Sequence, residues 1–343
     1  MSETFRKAFT ESDTFSIREI SHYRELEPLD AVVKVDAALL TQLELSSDAK
    51  IQGLGSAACG VITEIGEEVS SFSVGDKVVF NANMPCYVCN DCQRGYSSNC
   101  QRTSVHHEAG GCIAEYMFIN NAEANLAKQP ESVSDELACY APHLLAKSMH
   151  AIDKACLPVG SIVGVSGLGP YGLMTIACAN LSCAGYIFAM VNEDTHELRY
   201  AKEFGADSSI QNPSERYEAI MDYTNSVGLD ASIDCSGTAE GLKECINLTR
   251  IGGSIIRTEH PKEADGELLE LMLAAQSKDI NIQNVNCPTG SENYSRMLRL
   301  IEKLRIDPSM LTTHRCDFEQ LEEYLPTLNS NSAEHVETVL IEF

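Results

Sequence analysis

Cys86, Cys89, Cys92 and Cys100 stand in the frame C-x2-C-x2-C-x7-C within the segment PCYVCNDCQRGYSSNC, a spacing that suits one tetrahedral thiolate site for zinc. Three ligands this close in sequence wrap a single ion only through short polar turns, and Tyr-Val and Asn-Asp supply them. A closed shell of four thiolates leaves no open coordination position, so the expected zinc stabilises a lobe over residues 84–102 and does no chemistry.

A second pattern is Gly167-Leu168-Gly169-Pro170-Tyr171-Gly172, a G-x-G-x-x-G that follows the apolar run SIVGVSG and opens a helix-length segment. In this context the first glycine makes the tight turn, the second lets backbone N–H groups approach a pyrophosphate, and the third packs helix on strand. Asn192 lies twenty residues past the third glycine, at the end of the next apolar run, where an acidic residue usually binds the adenosine ribose. Asn192 can still bond a ribose hydroxyl, while Glu193 and Asp194 would repel a 2′-phosphate and Arg199 lies further into the next helix. The pattern favours NAD(H) over NADP(H).

These residues need elements to hold them. From about residue 30, strand-like runs (AVVKVDAALL, GVITEIG, DKVVFNA, CIAEYMFI) alternate with Gly, Asn and Pro, as in an antiparallel β-rich barrel. The rhythm changes near residue 153, where apolar runs alternate with helices expected at Tyr171–Cys183, Thr195–Phe204 and Ala239–Leu248. That βαβ order predicts a parallel, doubly wound sheet, so the fold class is α/β. Helices at Asn293–Lys303 and Phe318–Leu328 and a last strand VETVLIEF return to the first domain. The domains expected are therefore 1–152, 153–289 and a returning 290–343.

A chain of 343 residues with 44% apolar residues fills two cores. A net charge of −25, with no basic patch, argues against nucleic acid. No apolar run reaches membrane-spanning length and the N-terminus lacks the apolar core of a secretory signal, which points away from the membrane and to the cytoplasm. Ten of the fourteen cysteines are scattered singly and read as reduced, buried thiols.

The cysteine lobe, F-S-V-G-D-K-V at Phe72 to Val78, G-G-C-I-A-E-Y at Gly110 to Tyr116, the glycine turn and A-K-E-F-G-A-D at Ala201 to Asp207 together resemble the zinc-containing medium-chain dehydrogenase/reductases, the alcohol, sorbitol and cinnamyl-alcohol dehydrogenase superfamily. The resemblance implies a GroES-like catalytic domain, a Rossmann domain, hydride exchange between a nicotinamide and a small alcohol or carbonyl compound in the cleft between them, and a homodimer or homotetramer. Relatives that use a catalytic zinc supply a cysteine after the V-K-V-x-A-A strand, a histidine in a G-H-E motif, and a later cysteine or glutamate. This chain has Thr41 at the first position, Ser56 and Ala57 at the His-Glu pair, and Ala141 or Leu145, by either alignment, at the third. The segment from Thr41 to Ser56 is also short, and Leu43 stands in place of the usual proton-relay hydroxyl.

The expectation is one structural zinc per chain and no catalytic zinc. Candidate polar groups near the former metal position are Thr41, Glu44, Ser56, Cys59, Tyr140 and His143, with Thr41, Ser56 and His143 foremost and His143 a proton donor by its usual pKa of about 6.5. His106-His107 read as a solvated loop and Cys59 as core. The leading reading is an NAD(P)H-dependent reductase of an activated C=C or C=O. The alternatives are a cofactor-binding pseudoenzyme, or an ordinary zinc alcohol or polyol dehydrogenase with ligands such as Cys59 or His143.

Overall fold

Strands β1 (Thr4–Glu11) and β2 (Thr14–Ser21) pair antiparallel, a hairpin whose polar alternation left no clear signal in the sequence. The computed structural model describes residues 4–11, 14–21, 25–41, 52–102, 110–191, 197–259, 268–328 and 338–343. By contacts the chain divides into two units, Met1–Ala146 with Pro288–Phe343, and Lys147–Cys287. The boundaries drawn from the sequence were 152/153 and 289/290. The structure assigns Lys147 and its successors to the second unit, where Ser148 Oγ donates to the Tyr171 carbonyl at 3.3 Å.

In the first unit β3 (Ala31–Thr41) is buried along almost its whole length, because AVVKVDAALLT is apolar on both faces. It is followed by β4 (Gln52–Gly53), β5 (Ala57–Ile65), β6 (Lys77–Asn81), β7 (Tyr116–Ile119), β8 (Ala127–Lys128) and helix α1 (Asp135–Tyr140). Ser134 caps α1 by accepting from the Leu137 N–H. A π-helical turn, Ala141–Leu145, follows it.

The second unit carries α2 (Ala146–Ala155), β9 (Ile162–Ser166), α3 (Pro170–Leu181), β10 (Tyr186–Met190), α4 (Glu197–Glu203), β11 (Ser208–Ile210), α5 (Pro213–Tyr223), β12 (Leu229–Asp234), α6 (Ala239–Leu248), β13 (Thr249–Arg257), α7 (Leu268–Ser277) and β14 (Asn281–Asn284). Its strands are all parallel, in the order β11-β10-β9-β12-β13-β14. The order reverses between β9 and β12, the switch point at which such sheets take ligands. Helix α3 begins one residue before the expected Tyr171 because Pro170 suits the first helical position. Helix α5 was not expected from the sequence, although Asn212 caps it by accepting from Ser214 N–H at 2.9 Å and Pro213 opens it.

The chain then returns to the first unit through α8 (Ser291–Glu302), β15 (Thr312–Asp317), α9 (Leu321–Leu328) and β16 (Thr338–Glu342). The expected helix from Phe318 begins as a 3-10 turn, Phe318–Gln320. The large sheet of this unit runs β15-β16-β3-β5-β6-β8, with β7 also pairing β3. All its pairings are antiparallel except β15 with β16. Val33, Val35, Leu40, Phe80, Ile113 and Ile341 fill the core beneath it. Among the described residues no helix is long and apolar enough to cross a membrane.

Candidate functional site

The four-cysteine lobe is built by short local turns. Cys89 stands at the N-terminal cap of a single-turn helix, Asn90–Gln93, which presents Cys92, and a 3-10 turn, Ser97–Asn99, delivers Cys100. The four Sγ atoms lie within 4.8 Å of one another. The separations are 3.4 Å for Cys89–Cys92, 3.6 Å for Cys86–Cys100 and 3.9 Å for Cys89–Cys100. A tetrahedron with Zn–S arms of about 2.3 Å has edges of about 3.8 Å, so the donor set and its spacing fit zinc. Burial acts to raise the Cys86 thiol, but N–H groups of Val88 and Cys89 outweigh it and bring it down to about 7. The lobe is tied to the returning chain by Thr289, whose hydroxyl meets Tyr87 Oη at 3.1 Å and Ser97 Oγ at 2.8 Å.

The glycine turn sits at the carboxyl end of β9, the central strand of the parallel sheet. Gly167 has φ +81° and its N–H donates to the Met190 carbonyl at 3.0 Å. A Cβ at Gly172 would fall 1.8 Å from the Gly167 carbonyl oxygen, so that position admits no other residue. A Cβ at Gly169 would meet nothing within 4 Å. The N-terminus of α3, with no side chain capping it, thus opens onto free space that a pyrophosphate can enter. These residues fit a dinucleotide. Asn192 and Glu193 lie outside the described residues, as do Leu43, Glu44 and the pair His106-His107.

Thr41, Ser56 and His143 come from β3, the approach to β5 and the π-turn. Leu39 pairs with Ala57 and Ala57 with Asn81, and the Ala82 N–H donates to the Ser56 carbonyl at 2.9 Å. Asn81 in turn reaches His143 Nδ1 at 3.0 Å. Ser56 and His143 are therefore both held at the end of β6, Ser56 by the Ala82 N–H and His143 by Asn81. Thr41 is buried on the next rung, opposite Thr338. The Thr338 hydroxyl bonds the Tyr140 phenol at 2.7 Å, and Thr312 meets the same phenol at 2.8 Å. Burial raises the Tyr140 pKa, which leaves it a neutral strut.

Asn81 was not singled out from the sequence, and it decides the state of His143. Its Oδ1 accepts from the Asn83 N–H at 2.8 Å, so the other end is the amide NH2, which donates to the Pro142 carbonyl at 2.8 Å. The second N–H of that amide points at His143 Nδ1, which must accept. A neutral His143 then carries its proton on Nε2. Ser56 Oγ is buried and has no hydrogen-bond partner. Cys59 is elsewhere engaged: fully buried on β5, its Sγ lies 3.6 Å from Cys139 Sγ. The Cys139 hydrogen bond and burial push the Cys59 thiol up, so it stays protonated.

Residues 27–131 match the alcohol dehydrogenase GroES-like domain, and residues 170–303 match the zinc-binding dehydrogenase domain. The chain belongs to the zinc-type medium-chain dehydrogenase/reductase family. It is 29% identical over 306 residues to the NADP-dependent isopropanol dehydrogenase of Thermoanaerobacter brockii, covering 84% of each chain. It is 29% identical over 278 residues to the probable D-xylulose reductase A of Emericella nidulans, covering 79% of this chain and 75% of that one. Its fold superposes on alcohol dehydrogenase TADH from Thermus sp. ATN1 with a TM-score of 0.83 at 23% identity, over 98% of this chain and 99% of that one. A GroES-like domain with a Rossmann sheet is therefore the fold class, and the protein is an alcohol-dehydrogenase-like oxidoreductase that uses a nicotinamide dinucleotide.

Within this medium-chain dehydrogenase two further charged groups escaped the sequence reading. Arg216 of α5 is fully buried, its Nη1 donating to the carbonyls of Val191 at 2.7 Å and Ile210 at 2.6 Å while Nε meets Glu244 at 2.7 Å. It closes the carboxyl ends of β10 and β11. Lys147, at the end of A-P-H-L-L-A-K, pairs with Glu259 at 2.7 Å. A cation ending an apolar segment was the available signal for Lys147. Arg216 had none, since its partners come from three separate stretches of chain.

Proposed function

We propose that the chain reduces an activated C=C or C=O bond of a small molecule without a catalytic zinc ion on the substrate oxygen. The observation that carries this reading is the chemistry of three positions. Thr41, Ser56 and Leu145 (Ala141 in the other alignment) offer two alcohols and a hydrocarbon where zinc-using relatives place cysteine, histidine and a cysteine or glutamate. Thiolate, imidazole and carboxylate are the zinc-binding side chains, and a neutral alcohol is a poor substitute. Among the described residues the sulfur lobe is the one grouping of three or more His, Cys, Asp or Glu side chains able to share an ion.

The bound dinucleotide supplies the hydride. The protein must then hold the substrate oxygen and give a proton. Ser56, with a buried and unpartnered hydroxyl, suits the first task, and the Nε2–H of His143 suits the second. A conjugated acceptor spreads the developing negative charge over several atoms and so demands less stabilisation than an isolated alkoxide. Glu193 and Asp194 after Asn192 support NAD(H) as the preferred cofactor. The edge strand β14 and the exposed Ile251, Met272 and Leu273 of the same unit support self-association as a dimer or tetramer.

Metal analysis of the purified protein together with a substrate panel tests the proposal. The expected result is about one zinc per chain, with NADH oxidised by α,β-unsaturated aldehydes or ketones and little activity on simple secondary alcohols. About two zinc ions per chain with rapid alcohol oxidation would overturn it.

A further inference from the structure

The Lys147–Glu259 pair occupies a place in the parallel-sheet unit that structural bookkeeping alone does not explain. Both side chains are mostly buried, at 13% and 17% exposure, and the ammonium lies 4.4 Å from the centre of the Tyr171 ring. A pair so withdrawn from water recovers little of its desolvation cost from mutual attraction, so stability is a weak reason for its presence.

Its position relative to the sheet is specific. Tyr171 is the second residue of α3, directly on the glycine turn, and Ser148 fastens the start of α2 to the Tyr171 carbonyl at 3.3 Å. Glu259 lies two residues beyond the carboxyl end of β13, and the Thr258 N–H donates to the Asp234 carbonyl at the end of β12 at 3.0 Å. The ion pair therefore runs from the glycine turn to the ends of β12 and β13. A dinucleotide lying across the switch point places its adenosine over β10 and its other half over β12 and β13. The neighbouring cation Arg257 is already held by Asp234 at 3.1 Å.

We propose that Lys147, held in place by Glu259 and by the face of Tyr171, is a binding residue for the nicotinamide mononucleotide half of the cofactor. Its ammonium donates to the phosphate and ribose oxygens of that half. This rests on the dinucleotide site at the glycine turn. A chain of net charge −25 has reason to place a cation where an anionic ligand must settle.

The test is titration of the full-length protein and its Lys147→Met and Lys147→Arg variants with NADH, ADP-ribose and AMP. In Lys147→Met the Kd for NADH should rise about tenfold, the loss of one charge-assisted contact, and ADP-ribose should weaken with it. AMP, which fills the adenosine half alone, should bind as before, and Lys147→Arg should recover most of the NADH affinity. An NADH Kd within twofold of wild type, or equal weakening of AMP and NADH, overturns the inference. Failure of the wild-type protein to bind any of the three ligands would instead overturn the dinucleotide site on which it rests.

Discussion

Two polar clusters in the first unit show opposite ways of building a site. The sulfur lobe draws four ligands of one kind from a stretch of fifteen residues, Cys86 to Cys100, and its geometry follows from local turns. The cluster of Thr41, Ser56, Asn81 and His143 draws unlike groups from β3, the approach to β5, β6 and the π-turn, and its order comes from strand pairing. The first is a clamp whose four Sγ atoms are spaced for one ion. The second holds a buried hydroxyl, Ser56 Oγ, without a hydrogen-bond partner, beside an imidazole whose Nδ1 faces the Asn81 amide.

Breaking the clamp should have the largest effect. Cys92→Ser is expected to drop zinc from about one ion per chain to near none, read by metal analysis, with loss of amide protection confined first to residues 84–102. NADH binding at the glycine turn should survive in the same protein; if it is lost as well, the ion supports more of the fold than the lobe alone.

His143→Ala should leave zinc content intact and lower kcat by about 100-fold, the lower end of what a positioned proton donor contributes. A kcat within twofold of wild type would remove His143 from the chemistry. Asn81→Asp sharpens the point, because a carboxylate can only accept: it calls the proton to Nδ1 and strips Nε2 of it in the neutral ring. We expect a loss of about tenfold in kcat with an altered pH–rate profile, and a merely structural Asn81 would change Tm without moving that profile.

The smallest effect should come from Ser56→Ala. Removing a buried hydroxyl without a partner should stabilise the protein by about 1 kcal/mol, measured as a rise in the urea midpoint, while activity falls. Stabilisation with activity unchanged would make Ser56 a packing residue and nothing more.

The sulfur lobe, the glycine turn and the strand-helix alternation after residue 153 were all legible because each depends on spacing along the chain. Helix α5 and the N-terminal hairpin were not, since their signals are a cap and a polar alternation that tertiary pairing must complete. The contact of Asn81 with His143, the sealing of Cys59 against Cys139, and the Lys147–Glu259 pair were beyond reach for a related reason. Their partners lie 62, 80 and 112 residues apart.

The sequence by itself determined that four cysteines are spaced to share one ion, that a phosphate can lie on Gly167–Gly172, and that Thr41 and Ser56 bring no thiolate or imidazole. Only the tertiary structure decided which way the Asn81 amide faces, and with it which nitrogen of His143 keeps a proton. Spacing fixes contacts a few residues apart because backbone geometry limits where they can go. A hydrogen bond between distant strands is fixed only when the sheet that carries them has formed.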